Sequence, residues 1–312
     1  MDRTLVAPEL RGPMRLARVP GIEHSIGRFV AQAALRLMPG GKVAGVTTER
    51  LPAAGPGVRV HRPTDRHAAA ALLWIHGGGY VVGRAAQNDR LCGELARAAG
   101  IVVVATEYRK APEHPFPAPL DDCQAAWDWL QQEADALGVD RARVAVGGES
   151  AGGGLAAALA QRLHDAGGVR PVAQLLFCPM LDDRTAARRE LDATGHPVWD
   201  NRANRFGWRS YLGKEPGLPG LPAHAAPARR EDLAGLPPAW IGVGDIELFH
   251  DEAVDYAERL VAAGVPVELD VVPGAAHGFE TWAPDTALAR GHTGRASAWL
   301  RRMLDGSDVA AG

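Results

Sequence analysis

Cysteine is scarce in this 312-residue chain: there are three, Cys92, Cys123 and Cys178, an odd number with no C-x-x-C spacing. That excludes a disulfide framework and a thioredoxin-like motif, and the three read as buried thiols in a reducing compartment. A basic excess is also lacking. The formal net charge is -3, which gives no field for a phosphate backbone, so no nucleic-acid partner is expected. The N-terminal stretch "MDRTLVAPELRGPMRLARVPG" interrupts its apolar residues with Arg and Pro, leaving no run long enough for a signal-peptide core or a membrane span. A cytoplasmic protein is the expectation. Eleven histidines are present, yet no H-E-x-x-H and no close Cys/His cluster, so no metal site is expected.

What is present is an ordinary globular composition, 46% hydrophobic and 23% charged, in a chain long enough to bury a large core. Short β-rich runs alternate with longer helical patterns, which points to a mostly parallel α/β sheet with helices on both faces. The expected strands are residues 43–48, 58–62, 71–75, 101–107, 144–147, 173–178, 239–243 and 267–272. "GIVVVATEY" and "VAQLLFC" are nearly continuous apolar runs, as central strands covered on both faces require. "PAPLDDCQAAWDWLQQEADALG" reads as one helix, with Pro119 near its start, Asp121 and Asp122 at the positive end of the dipole and Gly138 as its stop. Two regions fall outside the alternation: residues 1–42, with the amphipathic stretch "SIGRFVAQAALRLM", and about 183–228. Both are candidates for a cap over a site on the domain formed by residues 43–312.

Serine is rare too, only five in the chain, and one of them stands among five glycines in "AVGGESAGGGLAAALA". Given 37 glycines, chance alone yields about 0.07 matches to G-x-S-x-G. Gly148-Glu149-Ser150-Ala151-Gly152 follows an expected strand and leads into an alanine-rich helix. That is the setting of a nucleophile elbow, where side chains at the flanking positions would collide with neighbouring backbone. Glycine within a helix costs roughly 1 kcal/mol against alanine, a loss set against an exposed Ser150 hydroxyl.

A second glycine run, His76-Gly77-Gly78-Gly79, follows the strand at 71–75 on the same sheet edge. Three consecutive glycines can turn their N–H groups to one point, and with the N–H of Ala151 they would surround the oxygen of a tetrahedral intermediate. His76 itself reads as a loop anchor. His277, in the loop "VVPGAAHGFE" after the last expected strand, is placed to act as general base. A protonated imidazole cannot play that part, so a neutral to mildly alkaline optimum is expected. His196, His224, His250 and His292 lie in the cap or in helical segments. The acid must come from "GDIELFHDE", where Asp251 is accounted for as a first-turn charge and both Asp245 and Glu247 remain open.

The motifs "HGGGYVVG", "EYRKAPEHPFPAPLDD", "GGESAGGG", "GDIELFHDE" and "GAAHGF" together resemble the bacterial hormone-sensitive-lipase-like carboxylesterases of the α/β-hydrolase superfamily, over most of residues 70–305. The resemblance implies an eight-stranded α/β-hydrolase fold with a helical cap. It also implies hydrolysis of short-to-medium-chain carboxylic esters without a cofactor, with a homodimer left open. It makes Ser150 the nucleophile and His277 the base, with Gly78, Gly79 and Ala151 as oxyanion donors and Gly77 completing their motif. Anchored on Asp251-Glu252, it favours Glu247 over Asp245 as the acid. Glu149 departs from the Asp or Thr usual before the serine. Tyr80, Trp199, Phe206, Trp208 and Tyr211 are candidates for the substrate pocket, or for a core internal to the cap. The same machinery could serve an amidase or arylformamidase, while a non-catalytic receptor would be expected to lack His277.

Overall fold

The continuous apolar runs form the middle of one eight-stranded sheet in a computed structural model that describes residues 3–17, 21–52 and 55–305. Its strands are β1 (Val46–Leu51), β2 (Val58–Pro63), β3 (Ala71–Ile75), β4 (Val102–Thr106), β5 (Val144–Glu149), β6 (Gln174–Phe177), β7 (Ala239–Gly244) and β8 (Val267–Val272), in the order β1-β2-β4-β3-β5-β6-β7-β8. Only β2 runs against its neighbours; the pairs from β4 through β8 are parallel. The helices are α1 (Ser25–Leu37), α2 (Asp89–Ala99), α3 (Ala118–Gln132), α4 (Ala134–Leu137), α5 (Ala151–Ala166), α6 (Asp183–Ala187), α7 (Asn201–Leu212), α8 (His250–Ala262), α9 (Phe279–Trp282) and α10 (Ala287–Asp305). No helix among the described residues is long and apolar enough to cross a membrane.

Side-chain alternation along the central strands feeds two cores. Leu73, Ile75, Val104, Val146 and Ile241 face one layer with residues of α3, α5 and α8. Leu72, Trp74, Val103, Leu175 and Trp240 face the other with α2 and α10. Every residue of β3, β4 and β5 is buried, in keeping with the apolar sequence of β3 and of most of β4. The register pairs Ile75 with Gly148, so β3 and β5 deliver their following loops to one edge.

Two elements differ from expectation. The first strand starts at Val46, three residues late, because Val43 packs onto α2 at Gly93 and accepts the turn bond from the Val46 N–H. The long helix after Pro117 breaks at Glu133 into α3 and α4, and Gly138 ends α4 at φ +64°. Asp122 is turned inward, where its carboxylate takes the backbone N–H of Arg109 at 2.7 Å and its guanidinium at 2.8 Å.

The regions outside the alternation attach to the machinery at the sheet edge. Val6 and Leu10 are buried against Val272, Ala275 and Phe279, and the Ala7 N–H donates to Gly274 O at 2.9 Å. Helix α1 is held by Gln32, which accepts from the Gly83 N–H at 2.9 Å and donates to Gly83 O at 3.2 Å. Within the insertion, α7 packs on the glycine loop. The ends of the insertion are joined by fully buried Asp183, which accepts from Arg229 at 2.7 and 3.0 Å and from the Gly217 N–H at 2.6 Å. Removing one partner of a buried ion pair costs about 3–5 kcal/mol because the other charge stays uncompensated. Arg229→Ala should therefore lower unfolding free energy by about 3 kcal/mol in urea titrations, with part of it recovered in Asp183→Asn/Arg229→Ala. An unshifted urea midpoint for the single variant would contradict this.

Candidate active site

Ser150 sits between β5 and α5 at φ +57°, ψ -122°, a backbone conformation that a non-glycine residue holds only under strain. The glycines around it are required by close backbone approach. A Cβ on Gly148 would lie 2.4 Å from Gly152 O and 2.6 Å from Ile75 O; one on Gly152 would lie 2.1 Å from Ile75 O. Farther into α5, a Cβ on Gly154 would lie 2.1 Å from Met180 O. The helix is thus seated on the loops after β3 and β6, and alanine at these positions would push it off.

The Ser150 hydroxyl lies 2.9 Å from His277 Nε2, and His277 Nδ1 lies 2.6 Å from Glu247 Oε2. With Nδ1–H donating to the carboxylate, Nε2 has its lone pair free to accept from Ser150 Oγ. All three residues are buried, and they arrive from the loops after β5, β7 and β8. The structure does not bring Asp245 to this group: that residue is exposed and accepts the Gly274 N–H at 2.6 Å, tying the β7 loop to the His277 loop. Asp251 is in the first turn of α8, beside His250 at 3.0 Å. His292 pairs with Asp270 at 2.8 Å and His224 with Asp165 at 2.8 Å, both away from Ser150.

The glycine loop is set against the serine: a Cβ on Gly77 would stand 3.2 Å from Ser150 Cβ. Gly78 and Gly79 take φ of +122° and +59°, and Ala151, first in α5, carries an N–H with no acceptor inside the helix. His76 anchors this loop from behind. It is fully buried, stacks on Tyr108 at 4.3 Å and donates from Nδ1 to Gly77 O at 2.7 Å. Burial holds its imidazole well below the ordinary histidine range, so it stays neutral.

The pocket candidates divide. The Trp199 ring centre is 6.3 Å from that of His277, and a Cβ on Gly79 would run into the Trp199 indole. Tyr80, Trp208 and Tyr211 instead pack on one another with ring centres 4.0–6.0 Å apart, a core joining α7 to the loop after β3. Phe206 is half-buried under the Arg28 guanidinium of α1, 4.9 Å away. Behind His277 lies a shell that the sequence reveals only in part. Glu149 accepts from Asn88 at 2.6 Å, and the Cys178 thiol lies 4.0 Å from Glu280 Oε1. Burial raises the carboxyl groups of both Glu149 and Glu280 above the usual range. Glu149 is marked in the sequence by its departure from the Asp or Thr usual before the serine, whereas Glu280, three residues past His277, gives no signal beyond that proximity.

Residues 72–281 match the family with the α/β hydrolase fold. The chain is 40% identical over 258 residues to Esterase LipI of Mycobacterium tuberculosis, covering 81% of this chain and 80% of that protein. It is 37% identical to an ethyl acetate hydrolase of Pseudomonas putida, over 71% and 70% of the two chains. Among solved structures, a bacterial heroin esterase superimposes with a TM-score of 0.88 at 36% identity, covering 96% of this chain and 98% of that one. An esterase from the bacterial hormone-sensitive lipase family gives 0.80 at 32% identity, over 96% and 99%.

The tight seat of the elbow makes a direct prediction. Gly152→Ala places a methyl group against the Ile75 and His76 carbonyls, which are backbone and cannot rotate away. It should cost at least about 2 kcal/mol in stability, whereas Gly294→Ala, in α10 with open space around it, serves as the comparison; equal melting temperatures would refute the account.

Proposed function

The chain belongs to the α/β-hydrolase fold family and is a carboxylic ester hydrolase, and we propose that it works by two acyl transfers through Ser150, His277 and Glu247. The observation that carries this reading is the unbroken run of hydrogen bonds from Ser150 Oγ through His277 to Glu247 Oε2 beneath a glycine loop. Ser150 attacks the ester carbonyl while His277 Nε2 takes its proton. Glu247 holds the Nδ1–H tautomer and stabilises the imidazolium that forms. The N–H groups of Gly78, Gly79 and Ala151 receive the oxyanion, each worth roughly 3 kcal/mol of transition-state stabilisation. His277 then protonates the leaving alcohol, and the same base activates water to hydrolyse the acyl-enzyme.

Residues 1–42 and 183–228 act as the cap in this reading. The indole of Trp199 beside Gly79 and His277 supports a role as pocket wall. Because Tyr80, Trp208 and Tyr211 fill the space under α7 with their own rings, the acyl chain preferred is short to medium. The name of the ethyl acetate hydrolase relative agrees with that preference. The cytoplasm is the compartment we assign, where buried, unpaired Cys92, Cys123 and Cys178 stay reduced.

Ser150→Ala should lower kcat on p-nitrophenyl acetate by about 10⁶-fold, and Glu247→Gln by about 10⁴-fold. Asp245→Asn should change it by less than about tenfold. The reverse ranking of the two acid variants would overturn the assignment of Glu247. Across p-nitrophenyl esters from acetate to laurate, kcat/KM should peak at the short end and fall for the longest chains; a maximum at laurate would contradict the pocket reading.

A further inference from the structure

Behind His277, three donor atoms of the kinds that hold a soft metal ion come together from distant parts of the chain. One donor each from Cys178, Glu247 and His277 lies within 4.8 Å of the others, and all three residues are buried. The carboxylate of Glu280 stands 4.0 Å from the Cys178 sulfur, a fourth donor on the same side. Glu247 Oε1 is buried without a hydrogen-bond partner among the described residues, although Oε2 is used by His277. A free, fully buried carboxylate oxygen is costly unless something positive takes it up.

We propose that these residues form an inhibitory site for a thiophilic divalent cation, with Zn²⁺ as its representative, and that occupancy switches hydrolysis off reversibly. The proposal rests on the reading of His277 as the base. Cysteine, histidine and carboxylate are the ligands Zn²⁺ prefers, at about 2.3 Å for sulfur and about 2.0–2.2 Å for nitrogen and oxygen. Tetrahedral donors at those lengths stand about 3.3–3.6 Å apart. The 2.6 Å contact between His277 Nδ1 and Glu247 must therefore open by under about 1 Å while the thiol closes in. A coordinated thiol loses its proton readily, so Cys178 would bind as the thiolate.

The proton balance accounts for the inhibition. The Cys178 S–H bond breaks as the Zn–S bond forms, and that proton, with the one the Glu280 carboxyl gives up on ligation, leaves to solvent. Nδ1 gives up its proton to bind the metal, and the neutral imidazole carries its one proton on Nε2 instead. Nε2–H then points at Ser150 Oγ as a donor and has no lone pair to accept the hydroxyl proton. Glu247 is at the same time drawn away from its work on Nδ1.

The test uses the full chain. Zn²⁺ titrated into p-nitrophenyl acetate hydrolysis should lower the rate at least about tenfold, with activity restored by a chelator. Cys178→Ala and the near-isosteric Cys178→Ser should each need at least about tenfold more Zn²⁺ for the same loss. A direct readout comes from Co²⁺ added to Ser150→Ala, which keeps the cluster and has no turnover. A near-ultraviolet thiolate-to-cobalt charge-transfer band should appear at one equivalent and be absent from Ser150→Ala/Cys178→Ala. Equal zinc sensitivity in wild type and both Cys178 variants, or no such band, overturns the site. The metal-free Ser150 and Glu247 variants test the hydrolytic roles separately, so failure of one reading is distinguishable from failure of the other.

Discussion

The carbonyl oxygens of Ile75 and Gly152 occupy the places where side chains at Gly152 and Gly148 would begin. This close approach of backbone to backbone fixes the turn after β5, and nearly everything else at the site follows from it. With Ser150 held at φ +57°, its side chain is thrown clear of the sheet edge, and α5 begins with free N–H groups under it. The pairing of Ile75 with Gly148 brings the loop after β3 to the same height, so the glycines of the second motif face the serine. The strain at Ser150 and the helix propensity lost at glycine are offset by two fully covered strand layers, whose burial gives roughly 1.5–3 kcal/mol per large apolar side chain.

The fold was legible where burial is two-sided. β3 lies where the pattern placed it because a continuous apolar run buried on both faces admits a single register. β1 was displaced because its residues are mostly exposed, and an exposed edge strand has no pattern to mark its start. The break at Glu133 was hidden for a related reason. Good helix formers continue on either side of it, and no breaker residue marks the bend. Ser150 stood out since both the glycines and the scarcity of serine pointed to it. His277 could be located by its place after the last strand.

The acid was harder, and the reason is geometric. Asp245 and Glu247 are two residues apart in one loop, so the choice depends on the path of that loop, which short sequence does not dictate. Asp245 is bonded within that path. By accepting the Gly274 N–H it fastens the β7 loop to the β8 loop, while Glu247 two residues on turns inward to His277. The two acids thus serve different bonds in one loop. The cap was the least legible region, because its aromatic residues satisfy one another. Tyr80, Trp208 and Tyr211 are indistinguishable in sequence from pocket-lining rings, yet they form a core, while Trp199 lies next to His277.

The same compactness concentrates acidic groups behind the imidazole. Glu149, Glu247 and Glu280 are all buried within mutual electrostatic reach, and their repulsion together with desolvation raises the carboxyls of Glu149 and Glu280. Two acids held toward their neutral form leave Glu247 as the carboxylate directly bonded to the imidazole. In a low-dielectric site one well-placed anion stabilises a developing imidazolium, whereas several fully charged ones would repel each other and hold its proton too firmly to pass on. A hydrolytic base must both take and return a proton in each cycle. The crowding of acids therefore suits turnover, because it keeps most of that charge suppressed.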